Sequence, residues 1–249
     1  MINFVQPLEQ FEIVVLKPII LFNSIDFSFT NASLYLILAT SLFLSLFYFA
    51  TYYSRIVPQR WQLVTESFYE FLLDMLNQQV GVKGHKYFPV IFVTFSFIFM
   101  INILGMVPYS FTVGSHIIQT FTLSGAFWIA LTILGFVYQK MHFFNLFLPK
   151  GVPSFILPAL FVIELITYTS RAFSLAIRLF ANLMSGHTLL NILSSFALSL
   201  WKKKVILGLI PFIIVFFVSI LEFGIAFLQA YVFTVLLCIY LHDSIHGHE

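Results

Sequence analysis

Hydrophobic positions in this chain fall in long blocks, and the short polar interruptions between them mark out the predicted elements. Asp26 and Arg55 bracket 28 uncharged residues. One helix crossing a ~30 Å hydrocarbon core needs about 20, so a first span is predicted over 31–53. The pattern changes over 59–80, where Trp61, Val64, Phe68, Phe71, Leu72, Met75 and Leu76 recur at helical spacing. Glu66, Glu70 and Asp74, each four apart, share the opposite face. This predicts an amphipathic helix on the membrane surface, with a short soluble helix as the alternative. Lys86 and Lys140 enclose 53 residues without Asp, Glu, Lys or Arg, interrupted by Gly105, Pro108 and Gly114. A helix pair within 87–138 is expected there. Two further helical patterns run over 158–200 and 205–241, separated by Trp201-Lys202-Lys203-Lys204. Gly186 is the one candidate stop in the first, and Pro211 lies in the second. As single helices they would be ~55–65 Å long, about twice the membrane core. They must tilt steeply, lie partly in plane, or break. The favoured reading is a long tilted hairpin over 158–241, closing a single membrane domain.

Composition agrees with this pattern. Of 249 residues, 60% are hydrophobic and 9% charged, against about a quarter charged in soluble domains. The expected fold is an all-α integral membrane protein of about five embedded helices and one amphipathic surface helix. A net charge of +2 argues against nucleic acid as a partner. The lone Cys238 excludes an internal disulfide. The N-terminal residues carry Glu9 and Glu12 and no basic region, so neither a cleavable signal nor an Arg-rich leader is visible. The chain is expected to insert where it is made, unless a leader is missing from it. Arg55, Arg60, Lys83 and Lys86, with Lys140 and Lys150, place two loops on the inner side. Lys202, Lys203 and Lys204 then fall outside, against that rule.

The last hairpin carries polar groups where each central charge costs roughly 2.5–3.5 kcal/mol. Glu164, Arg171 and Arg178 are seven apart and nearly share a helical face. Asn182 lies four beyond Arg178, and His187 follows. Glu222, Ala226 and Gln229 form a similar face on the second arm. Ser174, Arg178, Ala181 and Ser185 step by four, three and four, and small residues let another helix approach closely. Arg178 is thus predicted to lie where a second helix passes. Glu164 lies ~21 Å along the axis from Arg178 on one side, and His187 ~13 Å on the other. An antiparallel hairpin brings Glu222 toward His187. Two separated polar zones follow, with a fixed positive charge between them that blocks direct cation leakage and favours an ionised carboxylate beside it. A titratable His–Glu pair passes protons. Connecting the zones needs a moving carboxylate on a partner.

"RAFSLAIRLFANLMSGHTLL" and "LEFGIAFLQAYVFTVLLCIYL" resemble the a subunit of F-type ATP synthase, the stationary proton-channel subunit beside a rotating c-ring. "PLEQFEI", "FSFTNASL" and "GMVPYSFTVGSH" extend the resemblance over nearly the whole chain. It implies that Arg178 is the essential arginine facing the c-ring carboxylate. Asn182 and Gln229 match its polar neighbours. His187 and Glu222 match the outer half-channel pair, and Glu164 an acidic position near the inner one. Bacterial relatives often carry the acid and the histidine in the reverse order, so His187/Glu222 looks mitochondrial. The N-terminal motifs look like versions encoded in plant or protist mitochondrial genomes. The implied location is the mitochondrial inner membrane, with a bacterial plasma membrane as the alternative. The implied partners are c-ring proteolipids, peripheral-stalk and other membrane-sector subunits, lipids and protons. No cofactor or metal is implied, and the chain alone is expected to catalyse nothing.

Other readings stay open from the residues alone. Arg178 could form a structural ion pair with Glu164 or Glu222. Pairing of Arg171 with Glu164 is as well supported as a supporting role in transport. His187 could be a packing residue, and Asn182 and Gln229 interhelical glue. His242, His246 and His248 read as a solvated tail rather than metal ligands, and His116 as a loop residue. Chance accounts best for the Asn31-Ala32-Ser33 sequon. A self-contained secondary transporter is the alternative function, weakened by the lack of internal repeats.

Overall fold

The computed structural model describes residues 9–21, 25–26, 28–52, 54–107, 110–140, 143, 156–203 and 205–246. Six α-helices occur among them: α1 (Asn31–Tyr52), α2 (Arg60–Gln79), α3 (Phe88–Gly105), α4 (Ile117–Gln139), α5 (Leu157–Lys203) and α6 (Val205–His246). All but α2 are long and apolar enough to cross a membrane. The N-terminal segment, which the hydrophobic pattern left without an element, folds back as two short antiparallel pairs. Strand β1 (Val15–Lys17) pairs with β4 (Phe29–Thr30), and β2 (Ile20–Leu21) with β3 (Ile25–Asp26).

The start of α1 is fixed locally. Thr30 and Ser33 each offer a hydroxyl oxygen to the other's backbone N–H, at 3.1 and 3.4 Å, a reciprocal cap of the kind that satisfies orphan helix donors. The Asn31 carboxamide donates to the Glu12 carbonyl (3.1 Å) and accepts from Val14 N–H (3.3 Å). It is a structural residue tying the N-terminal segment to the helix, which gives the sequon a reason other than glycosylation.

Large apolar side chains remain exposed on most helices, including Ile37, Leu44, Phe49, Ile118, Phe136 and Phe217. Lipid is as apolar as leucine, so in a membrane this surface has a solvent that suits it. Hydroxyls on these faces bond back to carbonyls of their own helix, as Thr40, Ser45, Thr167 and Thr169 do. Helix α2 differs: Leu72, Met75 and Leu76 are buried while Glu66, Glu70 and Asp74 are exposed. Trp61 and Val64, which the same helical spacing places with the apolar residues, are exposed in its first turns.

Contacts divide the chain into two units, residues 1–46, 97–116 and 179–230 in one, and 47–96, 117–178 and 231–249 in the other. In the first, Ala39, Ile101, Phe111 and Val113 form a buried cluster with Tyr35, Phe97 and Leu104 against it. In the second, Phe68 meets Phe47, Phe92 and Phe95 edge-on at 5.5–5.9 Å. Helices α4 and α5 are joined there by hydrogen bonds from the Ser124 hydroxyl to the Ala172 carbonyl (2.6 Å) and between the Thr132 and Tyr168 hydroxyls (2.7 Å).

Helix α5 contains 47 residues and α6 contains 42, about 70 and 63 Å of helix. Both are continuous. Gly186 does not stop α5, and α6 continues through Pro211. Helix α6 also runs to His246 and is packed in its last turns, although the His242 side chain stays exposed; His248 lies outside the described residues. Ser244 is buried, and the Gln139 side chain donates to the Asp243 and Ser244 carbonyls at 2.8 and 2.9 Å.

Candidate functional site

His187 on α5 and Glu222 on α6 meet in the first unit. The imidazole Nε2 lies 3.5 Å from a Glu222 carboxylate oxygen, and both side chains are about nine-tenths buried. Two glycines make the approach possible. A Cβ on Gly186 would stand 2.7 Å from Glu222 Oε1 and 3.2 Å from its Cδ. One on Gly105 would stand 2.9 Å from a Thr112 methyl and 3.7 Å from His187 Nε2. Gly186, a doubtful helix stop in the sequence, is the space that the carboxylate occupies.

Other polar groups gather in the same unit. Asn102, fully buried on α3, donates from Nδ2 to the Ala226 carbonyl at 3.1 Å, one turn beyond Glu222. Thr112 and Ser115 are buried and share a 2.9 Å hydroxyl contact. His116 stacks on Phe111 with ring centroids 5.1 Å apart. Burial holds its imidazole below the usual range by disfavouring the charged form. Buried polar groups are costly unless paired, so a cluster of them beside two membrane-spanning helices marks a candidate functional site.

A second cluster forms in the other unit. Arg171 Nη1 lies 3.2 Å from Asp243 Oδ2, each about a quarter exposed, and its guanidinium sits 5.1 Å over the Tyr240 ring. The partner of Arg171 is therefore Asp243, not Glu164. Seventy-two residues separate the pair, so no local spacing announces it. Asp243 lies 3.8 Å from His242 as well.

Arg178 is exposed on α5 and joins no carboxylate among the described residues. The ion-pair alternative with Glu164 or Glu222 is not what the structure has. Ser174, Ala181 and Ser185 are exposed along with it, so the small-residue stripe is a continuous uncovered strip. Asn182, Gln229 and Glu164 are each half-buried. Glu222 and Ala226 are buried on the face that Gln229 shares. No three His, Cys, Asp or Glu side chains converge as metal ligands among the described residues.

Comparison with known proteins gives the family. The model of the family described as ATP synthase A chain matches residues 33–242. An ATP synthase subunit a from Marchantia polymorpha is 50% identical, covering 97% of this chain and 98% of that protein. One from Acanthamoeba castellanii is 43% identical, covering 95% and 96%. The chain belongs to the ATP synthase a-subunit family. It is a proton-translocating, multi-pass subunit of the membrane sector and associates with other ATP synthase subunits.

Within this a subunit, two residues escaped the sequence reading. Asp243 stood next to His242 in what read as a polar tail, and only the extension of α6 brings it under Arg171. Asn102 lay in an apolar run where one amide gave a weak signal. Its place inside an uncharged 53-residue stretch was the available clue.

Proposed function

We propose that the chain is the stationary half of a rotary proton path, with two offset half-channels meeting a carboxylate on a c-ring. The observation that carries this reading is the contrast between Arg178, uncovered on a strip of small residues, and the buried His187–Glu222 pair. An arginine left unpaired in a membrane needs an acid from elsewhere. The small residues at 174, 181 and 185 give a foreign helix room to bring one.

In the outer path, His187 and Glu222 relay the proton, with Asn102 holding the adjoining turn of α6. The proton neutralises the ring carboxylate, which then rotates through lipid. It leaves on the inner side by a path that includes Glu164. Asp243 holds Arg171 beside that path as a supporting group. The returning ionised carboxylate passes Arg178, whose charge stabilises it. Asn182 and Gln229 supply polar contacts near that crossing. One charge moving through 100 mV carries about 2.3 kcal/mol, so several protons are combined for each ATP. The subunit takes no part in the nucleotide chemistry and holds no cofactor. Its other partners are peripheral-stalk and further membrane-sector subunits, and its membrane is the mitochondrial inner membrane, in keeping with relatives from a plant and a protist.

Arg178→Ala in an assembled complex tests this reading. Proton-driven ATP synthesis should be lost while assembly persists. Cysteines at positions 174 and 181 should cross-link to a ring-forming proteolipid. Normal synthesis by the Ala variant, or no cross-link to a ring subunit, would overturn the proposal.

A further inference from the structure

A cavity of about 30 Å³ lies among α4, α5 and α6 in the second unit. Trp128 of α4, Arg171 of α5, and Tyr240 and Asp243 of α6 share its wall, and most of the rest is apolar. It therefore adjoins the Arg171–Asp243 pair.

The indole Nε1 of Trp128 is buried and meets no acceptor among the described residues. An indole nitrogen can only donate, and burying an N–H without a partner is costly. The ring is held in place by Tyr168, with centroids 5.8 Å apart, and the Tyr168 hydroxyl is itself tied to Thr132 on α4. On the same wall the Asp243 carboxylate is only partly used. Its Oδ2 accepts from Arg171 at 3.2 Å. Its Oδ1 has His242 Nδ1 at 3.8 Å, beyond hydrogen-bond range. Ionised carboxylate oxygens accept about four hydrogen bonds between them, so acceptor capacity remains. Arg171 likewise carries further N–H donors.

These groups select the occupant. A cation would lie beside the Arg171 guanidinium and could not accept from the indole. An anion would lie beside the Asp243 carboxylate. An organic ligand needs a site of ~300–1,000 Å³. Water both accepts and donates, and it needs about 10–15 Å³ of such space with two to four polar partners. The cavity has room for one or two molecules, and the indole, the carboxylate and the guanidinium are the partners.

We propose that this cavity holds ordered water, one molecule accepting from Trp128 Nε1–H and donating to Asp243, and that Trp128 is thereby a positioning residue for the Arg171–Asp243 pair. The carboxylate is then held by two donors instead of one, and α4 joins a contact otherwise made by α5 and α6. The water needs no c-ring beside it, so it stands or falls separately from the half-channel reading. Electron cryo-microscopy of the complete complex, at a resolution that shows ordered water, should place density within ~2.5–3.2 Å of both Trp128 Nε1 and an Asp243 oxygen. In Trp128→Phe that density should be lost and the Arg171–Asp243 contact should lengthen beyond its 3.2 Å. Ultraviolet resonance Raman spectra of the wild type minus Trp128→Phe isolate the Trp128 indole N–H band, which should sit at a hydrogen-bonded position. Ala172→Val adds bulk at the cavity wall and removes no polar group. Measured against the same variant lacking Trp128, it should shift the band to that of an unbonded indole. A dry cavity, or an indole N–H bonded directly to a protein acceptor, would overturn the proposal. So would a band that Ala172→Val leaves in place. An Arg171–Asp243 contact unchanged in Trp128→Phe would overturn the positioning role. If a variant fails to assemble, the wild-type density decides.

Discussion

Replacing Gly186 by alanine perturbs the buried pair without touching a titratable group. The new Cβ would stand 2.7 Å from Glu222 Oε1, 3.2 Å from Cδ and 3.4 Å from Cγ, so the carboxylate must retreat along its whole length. Glu222 is 5% exposed and lies 3.5 Å from His187, which leaves it little free space. Overpacking of this kind costs about 1–3 kcal/mol. Alanine in a helix interior returns about 1 kcal/mol relative to glycine. The net effect on stability is about 0–2 kcal/mol, small enough for assembly to survive. If 1–2 kcal/mol of displacement falls on the proton-transfer step, flux drops about 5–30-fold. Vesicles carrying the variant complex, assayed for proton uptake with a pH-sensitive dye and for assembly by native electrophoresis, separate the two effects. Glu222→Asp in the same background withdraws the carboxylate from the new methyl and should recover part of the loss. A double-mutant coupling below about 0.5 kcal/mol, or a Gly186→Ala complex with wild-type flux, would refute the idea that this glycine exists to admit the carboxylate.

Asp243→Asn should lower the thermal stability of the complex by about 1–2 kcal/mol, since Arg171 loses a part-buried charge-assisted hydrogen bond. Removing Arg171 as well should cost little more than removing either alone. Asn102→Ala should cost about 1–3 kcal/mol by leaving the Ala226 carbonyl without its buried side-chain donor, and should slow proton uptake, checked by the same dye assay. His116 gives a pH test. Its folded-state pKa is depressed by burial, so the unfolded chain binds the proton more readily and stability falls as pH drops below about 6.5. Melting curves between pH 5 and 8 should show His116→Phe losing less stability on acidification than the wild type. Parallel curves for the two would remove His116 as the cause.

Nearly everything set by composition and periodicity was legible in the chain. Five apolar segments and one amphipathic one became helices, because in lipid every backbone group must bond within its own segment. The stripe of Ser174, Arg178, Ala181 and Ser185 was also readable, since helical spacing alone decides which residues share a face. What approaches a face was not. The sequence offered Glu164 as a partner seven residues from Arg171, yet the structure supplies Asp243 from another helix. It showed Gly186 as a possible break, yet the Glu222 carboxylate fills that space. Asn102 was one amide in an apolar run until tertiary packing set it on the Ala226 carbonyl. Local chemistry determined the helices and their faces. Only the tertiary packing, by bringing residues from different helices together, decided which polar groups meet.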